Sequence, residues 1–408
     1  MAARGPLREM AWWQSRGSPS IKARLIMILT HCPVCVAELP PLSAKQCSRC
    51  KTRYCGPECQ KQHWEGGGHD KLCRKIRKGG GAEQYNANEK YAETVAVAAE
   101  ACADDTKGQT CYICTQALHW KTKEGLVRGC SCRGTAGFVH VSCLAEQAKI
   151  LYAEAEENNL SVKVQNERYS RWHTCSLCEQ QYHGVVRCAL GWACWKTYVG
   201  RPEADFARKM AMSLLGSGLL YANHQEDALS VQEAELSMMK HVGESEGNIL
   251  LVLGNLAGTY SDLGRKEEAL RLEKEIYSRS LRLYGEEHSQ TFSAANNYAI
   301  SLRHQLRYEE AKTLLRKTMP VARRVLGEGN DVMLKMRWAY ARVLYEDPAA
   351  TLDDLREAVT TLEDTERTAR RVLGGTHPDV VEIEERLRDA RDALRARETP
   401  SPSPSESS

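Results

Sequence analysis

The sequence predicts a multidomain chain in which two small metal-clamped, cross-braced modules of loops, short strands and short helices precede an all-α superhelix of repeats. Three observations predict it. Fourteen of the 17 cysteines, with two histidines, form two consecutive eight-ligand grids between residues 32 and 178. A Glu-Glu-Ala element followed by a glycine recurs four times from residue 226 on. Only three phenylalanines and 42% hydrophobic residues are thin for one large core in 408 residues, so two to four domains are expected.

An irregular basic leader occupies residues 1–30. Its apolar run, Leu25 to Leu29, is short, follows Lys22 and Arg24, and lacks a small-residue cleavage site. No stretch reaches the roughly 18 apolar residues that cross a bilayer, so no membrane span is expected. Disulfides would need a secretory route. A reducing setting follows, and the expected location is intracellular, cytoplasm or nucleus, with organelle import by the acid-poor leader as the alternative. With 56 basic and 53 acidic residues the net charge is +3, and whole-chain electrostatics do not demand nucleic acid.

Residues 31–75 hold the first grid: Cys32-x2-Cys35, Cys47-x2-Cys50, Cys55-x3-Cys59 and His69-x3-Cys73. Paired soft ligands one to three residues apart reach one tetrahedral ion from a single turn, and two pairs close a structural zinc site. Tyr54-Cys55, Cys59-Gln60-x3-Trp64 and the closing His69-x3-Cys73 resemble a MYND-type finger. The resemblance implies interleaved pairs, Cys32, Cys35, Cys55 and Cys59 on one zinc and Cys47, Cys50, His69 and Cys73 on the other. It also implies that Gln60 and Trp64 line a groove for proline-rich peptides; a plain packing role for Trp64 is the alternative. Glu65-Gly66-Gly67-Gly68 widens the gap from Trp64 to His69 to four residues, which flexible glycines can absorb and which makes His63 a rival ligand.

Residues 76–108 read as a linker: Gly79-Gly80-Gly81 breaks the chain, and Ala82 to Ala103 forms a helical spacer in which Cys102 is a small core residue. Residues 109–200 hold the second grid and a Trp/Cys-rich extension. Its order is Cys111-x2-Cys114, Cys130-x-Cys132, His140-x2-Cys143 and Cys175-x2-Cys178. With the run Gly129 to His140, this resembles the RING-CH family, a RING variant with four cysteines, one histidine and three cysteines. Cross-bracing would then place Cys111, Cys114, His140 and Cys143 on one zinc and Cys130, Cys132, Cys175 and Cys178 on the other, giving about four zinc ions in the chain. The family's activity is ubiquitin-protein ligation without a catalytic side chain, and Ile113 matches its apolar contact to a ubiquitin-conjugating enzyme. Two departures weigh against it. Gln147 stands four after Cys143, where the family has tryptophan, and the Cys143-Cys175 gap is long, with Ala145 to Glu157 predicted as an inserted helix. Cys188 and Cys194 are expected to pack in a core rather than join His183 as a further metal site.

Residues 203–397 are predicted helical repeats. Glu226-Asp227-Ala228, Glu267-Glu268-Ala269, Glu309-Glu310-Ala311 and Arg356-Glu357-Ala358 are followed by Gly243, Gly285, Gly327 and Gly374, with an insertion near Asp347-Pro348 in the last unit. Two helices per unit cannot bury their apolar faces alone, so stacking supplies the core. The run Arg371 to Val380, which holds Leu373-Gly374 and His377-Pro378-Asp379-Val380, resembles the tetratricopeptide (TPR-like) repeats of kinesin light chains, which implies a concave surface that grips proteins or peptides. A Ser/Pro tail at 398–408 cannot order itself.

No catalytic nucleophile, acid-base pair or phosphate loop stands out, and the glycine runs read as hinges. The expected function is a zinc-binding protein-protein interaction adaptor in which the finger and repeats bind partners and the RING-CH module is a scaffold. The alternative is a RING-CH ubiquitin ligase that docks a conjugating enzyme and recruits substrate through the repeats.

Overall fold

The structure is a computed structural model that describes residues 32–35, 37, 39, 44–374 and 377–398. The basic leader at 1–30 and the Ser/Pro tail, apart from Glu398, lie outside the described residues. The chain divides into two units, residues 1–243 and 244–408.

The first unit begins with the cysteine grid. Strands β1 (Lys45–Gln46) and β2 (Arg53–Tyr54) pair antiparallel with Lys45 opposite Tyr54, and helices α1 (Pro57–Glu65) and α2 (His69–Lys78) follow. The core here is tiny: Leu39, Tyr54, Ile76 and Ala82 with Cys32, Cys47, Cys50 and Cys73. Helix α3 (Ala82–Ala101) follows as predicted. It is no free spacer, because its Ala87, Tyr91, Val95 and Ala98 enter the same core as Val127, Val139 and Leu144 of the second grid. Cys102 caps α3 and stays half-buried.

Helix α4 (Val141–Glu157) realises the predicted inserted helix, and α5 (Val162–Tyr169) with a short 3-10 turn at Ser170–Trp172 completes the long gap before Cys175. Tyr152, Tyr169, Trp172 and Tyr198 meet edge-on there. The insertion is therefore a wall of the core and not a surface loop. Helix α6 (Gly184–Tyr198) is buried almost all round, with Trp192, Trp195, Cys188 and Cys194 inside. That burial requires apolar residues on every face.

Helices α7 (Phe206–Tyr221) and α8 (Gln225–His241) close the unit. They form the hairpin that carries Glu226-Asp227-Ala228, and they share the zinc-side core through Leu215, Leu219 and Val231. The first predicted repeat thus packs with the second grid. Gly191 of α6 and Gly218 of α7 permit this. A Cβ on Gly191 would stand 3.1 Å from the Leu215 Cα, and one on Gly218 would stand 2.9 Å from the Arg187 carbonyl oxygen.

The second unit is helical hairpins: α9 (Glu246–Asp262), α10 (Lys266–Tyr284), α11 (Ser289–His304), α12 (Tyr308–Leu326), α13 (Asp331–Glu346), α14 (Leu352–Leu373) and α15 (Pro378–Glu398). The repeated motif now has a physical reading. Its acids fall in the first turn of α10 and α12, where the helix dipole favours negative charge. Its alanine is the close-packing residue, since Ala269, Ala311 and Ala358 are all buried. Helix α14 starts three residues earlier relative to its alanine, closed by a Thr351–Asp354 capping box; the insertion near Asp347-Pro348 feeds this extra turn. Ser245, His288 and Asn330 cap α9, α11 and α13 by accepting backbone N–H bonds, and His377 accepts from the Asp379 N–H at 3.2 Å. One role is filled by different side chains.

Candidate metal centres and surfaces

Each grid is built from tight turns that aim two sulfurs at one point. In the turn at Cys111 the N–H of Thr115 donates to the Cys111 carbonyl at 2.8 Å and the Cys111 N–H to the Gln116 carbonyl at 3.0 Å. Thr115 adopts a left-handed φ of 60°. The turns at Cys47 and Cys175 repeat this pattern through Lys51 and Glu179. The open end of the turn presents N–H groups to sulfur: Ile113 and Cys114 donate to the Cys111 Sγ at 3.4 and 3.5 Å, and Leu177 donates to the Cys175 Sγ at 3.4 Å. In three quartets partner ligands come from helix starts, with Cys59 in the first turn of α1, His69 and Cys73 one turn apart on α2, and His140 and Cys143 at the head of α4, whereas Cys130 and Cys132 stand in a loop.

The structure brings the sixteen predicted ligands into four quartets: Cys32, Cys35, Cys55 and Cys59; Cys47, Cys50, His69 and Cys73; Cys111, Cys114, His140 and Cys143; Cys130, Cys132, Cys175 and Cys178. Within each, the ligand atoms lie within 4.8 Å of one another. The separations suit zinc. A tetrahedron with Zn–S near 2.3 Å has S–S edges of about 3.8 Å, and the sulfurs of Cys47 and Cys73 are 3.7 Å apart, those of Cys132 and Cys175 3.8 Å. His140 Nδ1 lies 3.3 Å from the Cys114 Sγ and 3.6 Å from the Cys143 Sγ. Its Nε2 faces the Ala117 carbonyl at 3.3 Å. A carbonyl only accepts, so Nε2 carries the proton and Nδ1 keeps its lone pair for a metal.

The electrostatics suit a cation. One thiol per quartet is held low against the upward push of burial. Backbone N–H groups of Cys35, Cys55 and Val34 bring Cys32 to about 7, and His69 with the N–H groups of Cys50 and Arg49 brings Cys47 to about 6. Cys111 and Cys175 are lowered the same way. Their neighbours go up: burial and the sulfurs of Cys47 and Cys50 push Cys73 to about 12, and burial with its sulfur neighbours pushes Cys132 to about 11. Three or four sulfurs this close cannot all ionise unless a divalent ion sits among them. With four protein ligands such an ion is closed to substrate and serves the fold.

His63 does not join a quartet. Its Nδ1 bonds the Tyr54 hydroxyl at 3.0 Å, and the widened glycine gap has a use there, since a Cβ on Gly67 would strike the His63 ring at 2.4 Å and Gly68 takes a left-handed φ of 73°. Gly67 is thus packed against His63, whereas Gly68 has open space around it and is fitted by its left-handed backbone alone. Gln60 is half-buried and Trp64 is 40% exposed on α1, its ring 5.7 Å from that of His69. Cys188 and Cys194 lie in the core, Cys194 with its sulfur 3.1 Å from the Tyr169 hydroxyl; His183 instead donates its N–H to the Gly129 carbonyl.

Ile113 is exposed at the tip of its turn, as is Leu177 at the tip of the turn between Cys175 and Cys178. The sequence reading missed the loop after Cys114. There Lys123 and Glu124 close a turn on His119 with the hydrogen-bond pattern of the cysteine turns, and Thr122 occupies the place of the second cysteine, its hydroxyl 2.8 Å from His119 Nδ1. The loop displays Leu118 and Trp120, Trp120 67% exposed. Spacing His119-x2-Thr122 was the available signal, masked by the absence of sulfur. Gln147 is half-buried on α4.

The comparisons agree with these domains. The MYND finger family model matches residues 32–73, the RING-variant domain model residues 111–178, and the tetratricopeptide repeat model residues 249–290 and 291–330. A comparison with curated proteins finds no match. Similar solved structures include two of Podosopora anserina kinesin light chain TPR-like repeats, 16% and 17% identical, each covering 57% of this chain, and 98% and 97% of those chains, at TM-scores of 0.38 and 0.37. BtubC (BKLC) from P. vanneervenii is 13% identical over 66% of this chain and 95% of that chain, TM-score 0.36. No helix among the described residues is long and apolar enough to cross a membrane. The chain combines a MYND finger, a RING-variant domain and tetratricopeptide repeats in one polypeptide.

Proposed function

We propose that this chain is a protein-interaction adaptor whose two zinc modules are held by the sixteen ligands of the four quartets and whose finger and repeats bind protein or peptide partners. The observation that carries this reading is the closure of all four quartets. Metal with no open position builds surfaces and does not activate water, so function passes to what the surfaces display. Trp64 beside Gln60 is the finger's exposed aromatic and suits a proline-rich peptide. The repeats offer the extended helical face that such arrays use for peptides. Purified zinc-loaded protein should contain about four zinc ions per chain and bind immobilised proline-rich peptides, with loss in Trp64→Ala. Two or fewer ions per chain would break the ligand assignment, and peptide binding indifferent to Trp64→Ala would remove the groove.

A second reading, ubiquitin ligation, is favoured by a specific observation. The apolar tips Ile113 and Leu177 are joined on the same module by an exposed aromatic, Trp120, which offers what Gln147 lacks. Reconstitution with activating enzyme, a set of conjugating enzymes and ubiquitin decides between them. Chain formation that disappears in both Ile113→Ala and Trp120→Ala establishes ligation, and silence across the set leaves the module as scaffold.

A further inference from the structure

The near-zero net charge of the chain is the sum of two unlike parts. The first 78 residues hold fifteen lysines and arginines against five acids, and the remainder holds 41 against 48. Within residues 44–78 ten cations face three acids, Glu58, Glu65 and Asp70. Seven thiolates and two divalent ions would place a formal −3 beneath that surface, less than half of the +7 above it. Helix α2 concentrates the excess. It packs inward through His69, Cys73 and Ile76, so Lys71, Arg74, Lys75 and Lys78, at i, i+3, i+4 and i+7, share its outer face and are all exposed. At 1.5 Å rise per residue the stripe runs about 10 Å. Lys75 lies over the Tyr85 ring at 5.2 Å and reaches Glu89 only at 4.0 Å between two exposed side chains. Lys71, Arg74 and Lys78 have no ion pair among the described residues. Lys45, Arg49 and Lys51 extend the exposed positive surface onto the strand hairpin and its turn.

We propose that this basic face of the finger binds single-stranded nucleic acid, with phosphates along the Lys71–Lys78 stripe and a base stacked on Trp64. One small finger carries both this row of cations and an exposed aromatic, and single strands are held by such a combination, since charge tracks the backbone and a ring accepts any base. Acidic protein would use the cations but not the ring. A lipid surface calls for more apolar anchors, and Trp64 is the one large hydrophobic side chain exposed among the described finger residues. The zinc quartet fixes the stripe, because His69 and Cys73 anchor the same helix from its opposite face.

The test uses the full zinc-loaded chain and a fluorescent single-stranded oligonucleotide, RNA or DNA, of about 20 nucleotides. Affinity read by anisotropy should fall about fiftyfold between about 50 and 200 mM salt, the loss expected when about four phosphates are neutralised on a single strand. Combined Lys71→Glu, Arg74→Glu, Lys75→Glu and Lys78→Glu should abolish binding at unchanged zinc content. Trp64→Ala should weaken it roughly tenfold without altering the salt slope. Proline-rich peptide, being uncharged, should still bind the charge-reversed variant, which separates this inference from the adaptor reading. No binding at low salt, or affinity unchanged by charge reversal, overturns the proposal. Equal affinity for poly-glutamate assigns the face to an acidic protein instead, and binding to anionic vesicles with no affinity for oligonucleotide assigns it to a lipid surface.

Discussion

Glu273 on α10 stands four residues after Ala269, where α12 has Leu315 after Ala311 and α14 has Leu362 after Ala358. Its side chain is buried like those leucines, and its Oε2 has no hydrogen-bond partner. Burial pushes the carboxyl up to about 8. The unfolded chain releases this proton near pH 4.5, so between about 4.5 and 8 the folded state holds a proton that the unfolded state has lost. Stability therefore falls as pH rises across that window, at up to about 1.4 kcal/mol per unit. Glu273→Gln should leave stability near pH 4 unchanged and raise the unfolding temperature at pH 8, a gain worth a few kcal/mol at most. Thermal melts at the two pH values check it, and an equal gain at both would show that burial of charge is not the cause. Glu235, which accepts from Ser213 and is raised to about 7, carries the same sign over a narrower window. Neither glutamate stands out in the sequence as buried, because a glutamate on a repeat helix ordinarily faces water; for Glu273 the register with Leu315 and Leu362 was the available signal. The paired candidate ligands were legible at the same scale because their spacing is constrained, whereas setting aside the rival His63 needed its bond to the Tyr54 hydroxyl, which no spacing encodes.

The pairing of α6 with α7 depends on two absent side chains. Gly218 lets the Arg187 carbonyl and the Cys188 Cα approach where a Cβ would sit at 2.9 and 3.1 Å, and Gly191 does the same against Leu215. Backbone cannot rotate out of the way as a side chain can. Gly218→Val should therefore lower stability by about 1–3 kcal/mol, the usual range for overpacking a tight core, read as a reduced denaturant midpoint. Gly254 and Gly258 on α9 are the converse, since a methyl group at either position would meet nothing within 4 Å. Each Gly→Ala there should stabilise by roughly 0.5–1 kcal/mol, since alanine restricts the unfolded chain and suits a helix interior. A midpoint that moves the same way for Gly218→Val and Gly254→Ala would contradict the distinction. Element existence was readable from alanine-rich composition and from the long Cys143-Cys175 gap: α3 and α4 fall where the sequence placed helices, α3 ending two residues short of Ala103 and α4 starting at Val141. Their assignment to a shared core was not. An alanine-rich helix reads alike whether it bridges modules or packs against one, and only the tertiary position of Tyr91 and Val95 shows that α3 is a wall of the zinc-side core.

At the scale of the molecule the four quartets all fall in the first unit, and among the described residues the second holds none. The finger core of Leu39, Tyr54, Ile76 and Ala82 with its cysteines is too small to stand alone, and each zinc contributes on the order of 10 kcal/mol to folding. The repeats bury Leu302, Leu315, Met336, Leu344 and Leu362 in a core without metal. Chelation should thus unfold the chain in part: the 32–78 finger and the loops carrying Cys111 to Cys178 should lose hydrogen-exchange protection while α9 to α15 keep theirs. Acid should do the same through competition, because every ligand sulfur must be a thiolate to hold zinc and zinc is released as pH falls. Zinc release measured with a chromophoric chelator between about pH 7 and 5 checks this. Simultaneous loss of protection in both units on chelation would mean that the repeats lean on the zinc modules for their stability, and the division into a metal-built half and a self-supporting half would have to be given up.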